Sequence, residues 1–159
     1  MAQDAPSLDL QQFMPYRLAR LASHLSQELS QIYAQPPFEI TIAEWRILAQ
    51  LAQSGRLSST ALGRRTDMDK TKISRAVRLL HERGWLDKVR DKDDNRITHL
   101  SLSDSGRSLY QQLAPRALAW ERQRLAVLSD AERSQLMALL DKLDDALGPS
   151  DPPRDGLGR

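Results

Sequence analysis

The sequence predicts a mainly α fold with one small two-stranded β element. Three observations predict it. Glycine and aromatics are few, at 7 Gly and 8 Phe, Trp or Tyr in 159 residues, while Leu, Ala, Arg and Gln abound. Apolar residues recur every three or four positions through most of the chain, the spacing of one helix face. A single stretch, from Trp85 to Leu102, instead alternates around a charged loop. The length suits one domain, or a domain with a helical extension, able to bury a core.

The elements follow in order. Residues 1–12 are polar, and Pro6 argues against an early helix, so a flexible start is expected. From Phe13 to about Tyr33, Met14, Leu18, Leu21, Ala22, Leu25, Leu29 and Ile32 share one stripe, and Pro36-Pro37 closes the helix. Thr41 and Glu44 then form a capping box, with Ile40 and Trp45 at the positions of a hydrophobic staple, starting a helix to about Gln53 that buries Trp45, Leu48, Ala49 and Ala52. A short helix from Ser58 or Ser59 to about Thr66 adds Ala61 and Leu62 to the core.

The next helix organises the chain. Asp69 is its N-cap and Gly84 its stop. At 100° per residue, Ile73, Ala76, Val77 and Leu80 face the core, while Thr71, Arg75 and Arg78 point away, flanked by Lys72 and Ser74. That outer face carries no acid between Asp69 and Glu82, whereas a solvated helix ordinarily mixes Glu with Lys. Arg and Lys bond guanine edges, and Ser and Thr bond base edges or phosphate, so the residue set suits a DNA major groove. Taken alone it fits an ordinary basic surface equally well.

Its neighbours favour the groove. The two short helices with the tight turn Thr66-Asp67-Met68 make a helix-turn-helix, and Trp85–Arg90 with Arg96–Leu102 make a charged hairpin, or wing, directly behind it. From Ser103 a further helix carries Leu109, Leu113, Trp120 and Val127 on one side and Leu118 and Leu125 on nearly the opposite side, which implies contact with two bodies. Pro115 should bend it. Ser129 and Glu132 box the start of a last helix with a Leu136, Leu139, Leu140, Leu143, Leu147 stripe, ended by Gly148-Pro149. The tail 148–159, rich in Pro, Gly and Asp, reads as disordered.

Charge distribution agrees. Residues 56–96 hold 12 Lys or Arg against 7 Asp or Glu, and the remainder 11 against 14, so a basic middle sits between slightly acidic ends. With no cysteine, disulfides, thiolate metal sites and thiol redox sensing are excluded. His24, His81 and His99 lie far apart with no companion ligand set, so no metal and no cofactor is expected. No nucleophile sits with a base and no glycine-rich phosphate loop is present, so an enzyme is not expected either. The amino terminus lacks signal-peptide regions and no run nears the roughly eighteen apolar residues of a membrane span, which places the protein in the cytoplasm.

Helix, helix-turn-helix, wing and two long terminal helices resemble the MarR family of bacterial regulators, the multiple-antibiotic-resistance type. The resemblance rests on Asp69-Lys70-Thr71-Lys72-Ile73-Ser74-Arg75-Ala76-Val77, on Arg90-Asp91-Lys92-Asp93-Asp94-Asn95-Arg96, and on Leu100-Ser101-Leu102-Ser103-Asp104-Ser105-Gly106. It runs from about Phe13 to Leu147.

The resemblance implies a dimerisation helix over 13–35, a winged helix-turn-helix over 38–102 and dimerisation helices over 103–147. It also implies a homodimer on a pseudo-palindromic operator, acting as a repressor and released by a small aromatic or phenolic acid or its CoA thioester. By position, Lys70, Thr71, Lys72, Ser74, Arg75 and Arg78 match the recognition helix, Arg96 the wing arginine that enters the minor groove, and Asp94 the acid that steers it. The alternative for Asp94 and Arg96 is a simple pair across a hairpin turn. Lys88, Arg90 and Lys92 on the wing, with Arg64 and Arg65 before it, are phosphate-contact candidates or plain surface charge. Arg17, Arg20, His24 and Arg46 lie on the helices bounding the expected effector crevice and are candidates for an anionic ligand. A winged-helix module that binds protein partners is the alternative.

Overall fold

The computed structural model describes residues 7–148. Six α-helices and one small sheet appear in the order α1 (Met14–Ala34), α2 (Ile42–Ser54), β1 (Leu57–Ser58), α3 (Ser59–Thr66), α4 (Lys70–Glu82), β2 (Leu86–Arg90), β3 (Thr98–Leu102), α5 (Asp104–Arg124) and α6 (Asp130–Leu147), with a 3-10 turn at Leu125–Val127. Of the flexible start expected over 1–12, residues 1–6 lie outside the described residues. The rest includes a turn in which Asp9 caps Gln11 and accepts from the Gln12 amide. The tail beyond Gly148 also lies outside them.

Local chemistry explains the boundaries. Both capping boxes form: Thr41 accepts from the Glu44 amide while Glu44 returns to Thr41, and Ser129 and Glu132 do the same at α6. Each such cap contributes about 1 kcal/mol. Helix α3 closes on Asp67 at φ 50°, a left-handed conformation that Asp tolerates, so the tight turn of the helix-turn-helix needs no glycine. Helix α4 ends in paired bonds from Gly84 to the His81 carbonyl and from Trp85 to that of Leu80, with Gly84 at φ +74°.

The sheet differs from expectation. It has three antiparallel strands in the order β1-β3-β2, so β3 is central. Leu57 pairs with Leu100 and Ser58 with His99, while Leu86 to Arg90 run against Leu102 to Thr98. A two-residue strand is too short to show alternation, which is why β1 escapes a reading by periodicity.

Helix α2 is also more enclosed than expected. Ile47, Leu48 and Leu51 are fully buried together with Glu44, while Trp45, Ala49 and Ala52 are only half-buried. The reason is that α2 packs against both α4 and α5, so its burial is not confined to one stripe. The expected inner face of α4, Ile73, Ala76, Val77 and Leu80, is buried as a unit.

Helix α5 runs without interruption through Pro115; its buried residues, Gly106, Leu109 and Leu113, lie in its first half, and Ala117 packs partly buried against the core beyond them. Further along, Leu118 and Val127 are exposed. No residue of α6 is buried, and Leu136, Leu139, Leu140, Leu143 and Leu147 all face outward.

Candidate nucleic-acid interface

The basic face is built from the Asp69 cap upward. Asp69 Oδ1 accepts from the Lys72 amide at 2.8 Å, fixing the first turn of α4 where its free N–H groups meet solvent. Lys70, Thr71, Lys72, Ser74, Arg75 and Arg78 all emerge exposed. Lys72 lies 3.8 Å from Asp69, and Arg78 lies 3.0 Å from Glu82. Each pair is at least two-fifths exposed, and pairs of this kind hold by less than about 1 kcal/mol, so both cations can transfer to phosphate. Lys70, Thr71, Ser74 and Arg75 have no side-chain partner among the described residues.

The wing loop is held by one carboxylate that sequence reasoning passed over. Asp91 Oδ1 accepts from the amides of Asp93 at 2.8 Å and Asp94 at 3.1 Å, and its Oδ2 lies 2.7 Å from His99 Nε2. These bonds, the one with His99 first and the two amides next, hold the Asp91 carboxyl down at a pKa of about 2. The signal in the sequence was an Asp two and three residues before amides it can cap, the pattern of an Asx turn. Asp94 in turn accepts from Arg96 through both backbone N, at 2.9 Å, and Nε, at 3.2 Å. The pairing of Asp94 with Arg96 is therefore present, and it leaves Arg96 at the tip with its side chain 92% exposed.

The phosphate candidates divide. Arg64 is exposed at the end of α3, and Lys88, Arg90 and Lys92 are exposed along the wing. Arg65 instead turns back to Ser54, with Nη1 2.7 Å from its Oγ, which ties α3 to the end of α2.

The same Arg65 lines a cavity of about 450 Å³ with Trp45, Arg46, Ala49, Gln50, Gln53, Thr66 and Tyr110. Two guanidiniums, two carboxamides and two aromatic rings make an environment for a flat anion. Of the expected ligand contacts only Arg46 is there. Arg17, Arg20 and His24 are exposed on the amino half of α1 and line neither this cavity nor a second one, of about 350 Å³, between α1 and α5. Trp45 and Tyr110 were not expected as a pair. They come together because Trp45 stacks on Tyr33 at 5.0 Å and on Tyr110 at 5.7 Å, joining α1, α2 and α5. Such contacts add about 0.5–1.5 kcal/mol each beyond area burial. The Tyr33 hydroxyl is buried with no hydrogen-bond partner among the described residues. Burial pushes its pKa far up, against the opposing pull of the Arg46 cation.

Among the described residues no cluster of His, Asp or Glu is arranged to hold a metal, and no helix is long and apolar enough to cross a membrane.

Comparison with known proteins agrees with this geometry. Residues 38–97 match the domain model of the MarR family. An HTH-type transcriptional regulator of Mycobacterium bovis is 28% identical over 128 residues, covering 77% of this chain and 90% of that one. A MarR/EmrR family regulator from Acinetobacter superposes with a TM-score of 0.80 at 28% identity, covering 88% of this chain and 98% of that one. The PcaV regulator of Streptomyces coelicolor, solved with its natural ligand, does so at 0.77 with 27% identity, covering 91% and 100%. These relatives are transcriptional regulators, not enzymes.

Proposed function

We propose, from the premise that this chain belongs to the MarR family of winged helix-turn-helix transcriptional regulators, that it is a cytoplasmic homodimeric repressor of a pseudo-palindromic operator. A small aromatic or phenolic acid would release it. The observation that carries the reading is the union of two features on one lobe. The exposed face of α4 offers Lys70, Thr71, Ser74 and Arg75 unpaired, and the wing offers a directed Arg96. A major-groove helix needs the first, and a narrow, electronegative minor groove beside it attracts the second. Lys88, Arg90, Lys92 and Arg64 would neutralise phosphates around this contact, and Lys72 and Arg78 would join them by leaving their surface partners.

The apolar stripes of α1 and α6 support a homodimer. Met14, Leu18 and Leu21 on one, and Leu136, Leu139, Leu140 and Leu143 on the other, are exposed in a single chain, the kind of apolar stripe that a partner surface covers. A dimer reading one operator holds its recognition helices about 34–36 Å apart.

The cavity beside Arg46 supports the effector. Its volume of about 450 Å³ suits a single-ring acid, with the carboxylate on Arg46 or Arg65 and the ring near Trp45 and Tyr110. Arg17, Arg20 and His24 would take part only if dimer assembly brings a second α1 to the cavity mouth. Arg65 then belongs to effector binding rather than to phosphate.

The test is binding of the purified protein to the DNA upstream of its own gene and to random DNA across a salt series, with single-ring aromatic acids and their CoA thioesters added. Sequence preference that one acid abolishes is expected, and Arg46→Ala should weaken that acid's effect. No preference over random DNA at any salt would overturn the reading in favour of a protein-interaction module.

A further inference from the structure

The exposed ion pair of Asp94 and Arg96 is too weak to aim Arg96 by itself. A pair this open is screened by water and holds little, and its arginine is 92% exposed. What gives the pair a direction is the support behind it. Side-chain exposure falls from 92% at Arg96 to 40% at Asp94, and to 28% and 29% at Asp91 and His99. Each group along this line is held by the next.

His99 sits at the inner end, and its own position is fixed by the fold. It lies on the central strand β3, opposite Ser58 on one side and Val89 on the other, so ladders on both edges hold its backbone. Asp91 follows the end of β2 and is spaced two residues from Val89, which puts its side chain on the face that His99 occupies. The loop is closed beneath them by bonds from the Asp91 amide to the Ile97 carbonyl and from the Ile97 amide to the Asp94 carbonyl, both 2.9 Å.

We infer that His99 is a positioning residue for DNA recognition. Its imidazole locks the Asp91 carboxylate, Asp91 fixes the Asp94 amide, and Asp94 presents Arg96 to the minor groove. The inference rests on the DNA-binding reading above and assigns to that site the residue that sets the wing arginine's aim. Without the imidazole, Oδ2 of Asp91 is released, the carboxylate is free to swing about its side-chain bond, and its Oδ1 grip on the amides of Asp93 and Asp94 loosens. A directed arginine distinguishes a narrow A·T-rich minor groove from a wider G·C-rich one, whereas a loose arginine contacts phosphate in either.

The experiment uses a duplex of about 30 base pairs selected by the full-length protein from a random pool, and a second duplex whose flanks beyond the selected half-sites are changed from A·T to G·C. The wild-type protein is expected to prefer the first by about threefold to tenfold, the scale of one groove contact. His99→Ala should lose that preference while binding the G·C-flanked duplex as before. His99→Gln, whose amide can still donate to Asp91, should restore it. In an Arg96→Ala background, His99→Ala should change nothing further, because both act through one contact.

Losses that multiply between His99→Ala and Arg96→Ala would overturn the inference. So would an equal loss on both duplexes, or a wild-type protein that binds its selected site with no preference in the flanks. Failure to select any sequence would overturn the DNA-binding reading itself, and this inference with it.

Discussion

Replacing Gly106 with alanine should destabilise the protein by roughly a third of a typical domain's stability, and the reason is one close approach. A Cβ built on Gly106 would lie 2.0 Å from the carbonyl oxygen of Trp85, 2.9 Å from its carbonyl carbon and 3.2 Å from its Cα. These are backbone atoms with duties of their own. The Trp85 amide donates to the Leu80 carbonyl at 2.9 Å to close α4, and the Trp85 carbonyl accepts from Ser103 at 3.1 Å. Relief therefore requires the first turn of α5 to move off the start of the wing. That movement breaks the cap in which Ser103 accepts from the Gly106 amide, and the bonds from Ser103 and Ser105 to the Gly84 carbonyl at 2.6 and 2.8 Å.

Overpacking costs about 1–3 kcal/mol, and a backbone overlap belongs at the upper end. Loss of the cap adds about 1 kcal/mol. The better helix propensity of alanine returns about 1 kcal/mol, leaving a net cost of about 3 kcal/mol. For a chain of this size that is a fall of about 6–12 °C in melting temperature. The assay is thermal melting by circular dichroism at one fixed protein concentration, since assembly shifts the midpoint. Gly55→Ala serves as the comparison. Gly55 has φ +77° with nothing within 4 Å of a built Cβ, so it bears backbone strain of order 1 kcal/mol and no overlap. A Gly106→Ala protein melting no lower than Gly55→Ala would refute the reasoning.

Three further outcomes follow from the same structure. Tyr33→Phe removes a buried hydroxyl that has no partner among the described residues, so the unfolding free energy measured in urea should stay level or rise by up to about 2 kcal/mol; a loss above about 1 kcal/mol would mean the hydroxyl is bonded. The Asp91 carboxyl is depressed to about 2, so it contributes stability that is present above the ordinary carboxylate range and is lost as pH falls from about 4 through 2. Asp91→Asn should flatten the dependence of the urea midpoint on pH in that window, and an unchanged slope would contradict the assignment. In the proposed homodimer, replacing Leu139 and Leu143 together with Lys should shift sedimentation from dimer to monomer with little loss of overall helix signal; a dimer that persists would contradict an interface at α6.

The parts of this molecule that were legible in the sequence are those governed by neighbours in the chain. The caps at Thr41, Asp69 and Ser129, the stop at Gly84 and the inner face of α4 all depend on residues within one or two turns. What stayed hidden depends on partners distant in sequence. Strand β1 exists because Leu100 lies beside Leu57, and the hold of His99 on Asp91 exists because the hairpin folds back over eight residues. The cavity is the sharpest case. Arg46 was in view, but the two rings beside it come from α2 and α5, and Arg65, which read as a DNA contact or plain surface charge, is turned toward Ser54 while staying exposed. Gly106 lies between the two classes. Its place after Leu102 and Ser103 was part of the recognisable pattern, while the reason for glycine, the carbonyl of Trp85, is visible only in three dimensions.

The stack of Tyr33, Trp45 and Tyr110 has an optical consequence. An indole clamped between two phenol rings, at 5.0 and 5.7 Å, emits light whose colour and yield depend on that clamp. The three rings come from α1, α2 and α5, so a change in the angle at which the long helices meet the winged lobe changes the clamp, and Trp45 also forms part of the cavity wall. With Trp85 and Trp120 replaced by phenylalanine, the remaining fluorescence would come from this one joint. The protein carries a built-in gauge of its own posture, readable in dilute solution without a label.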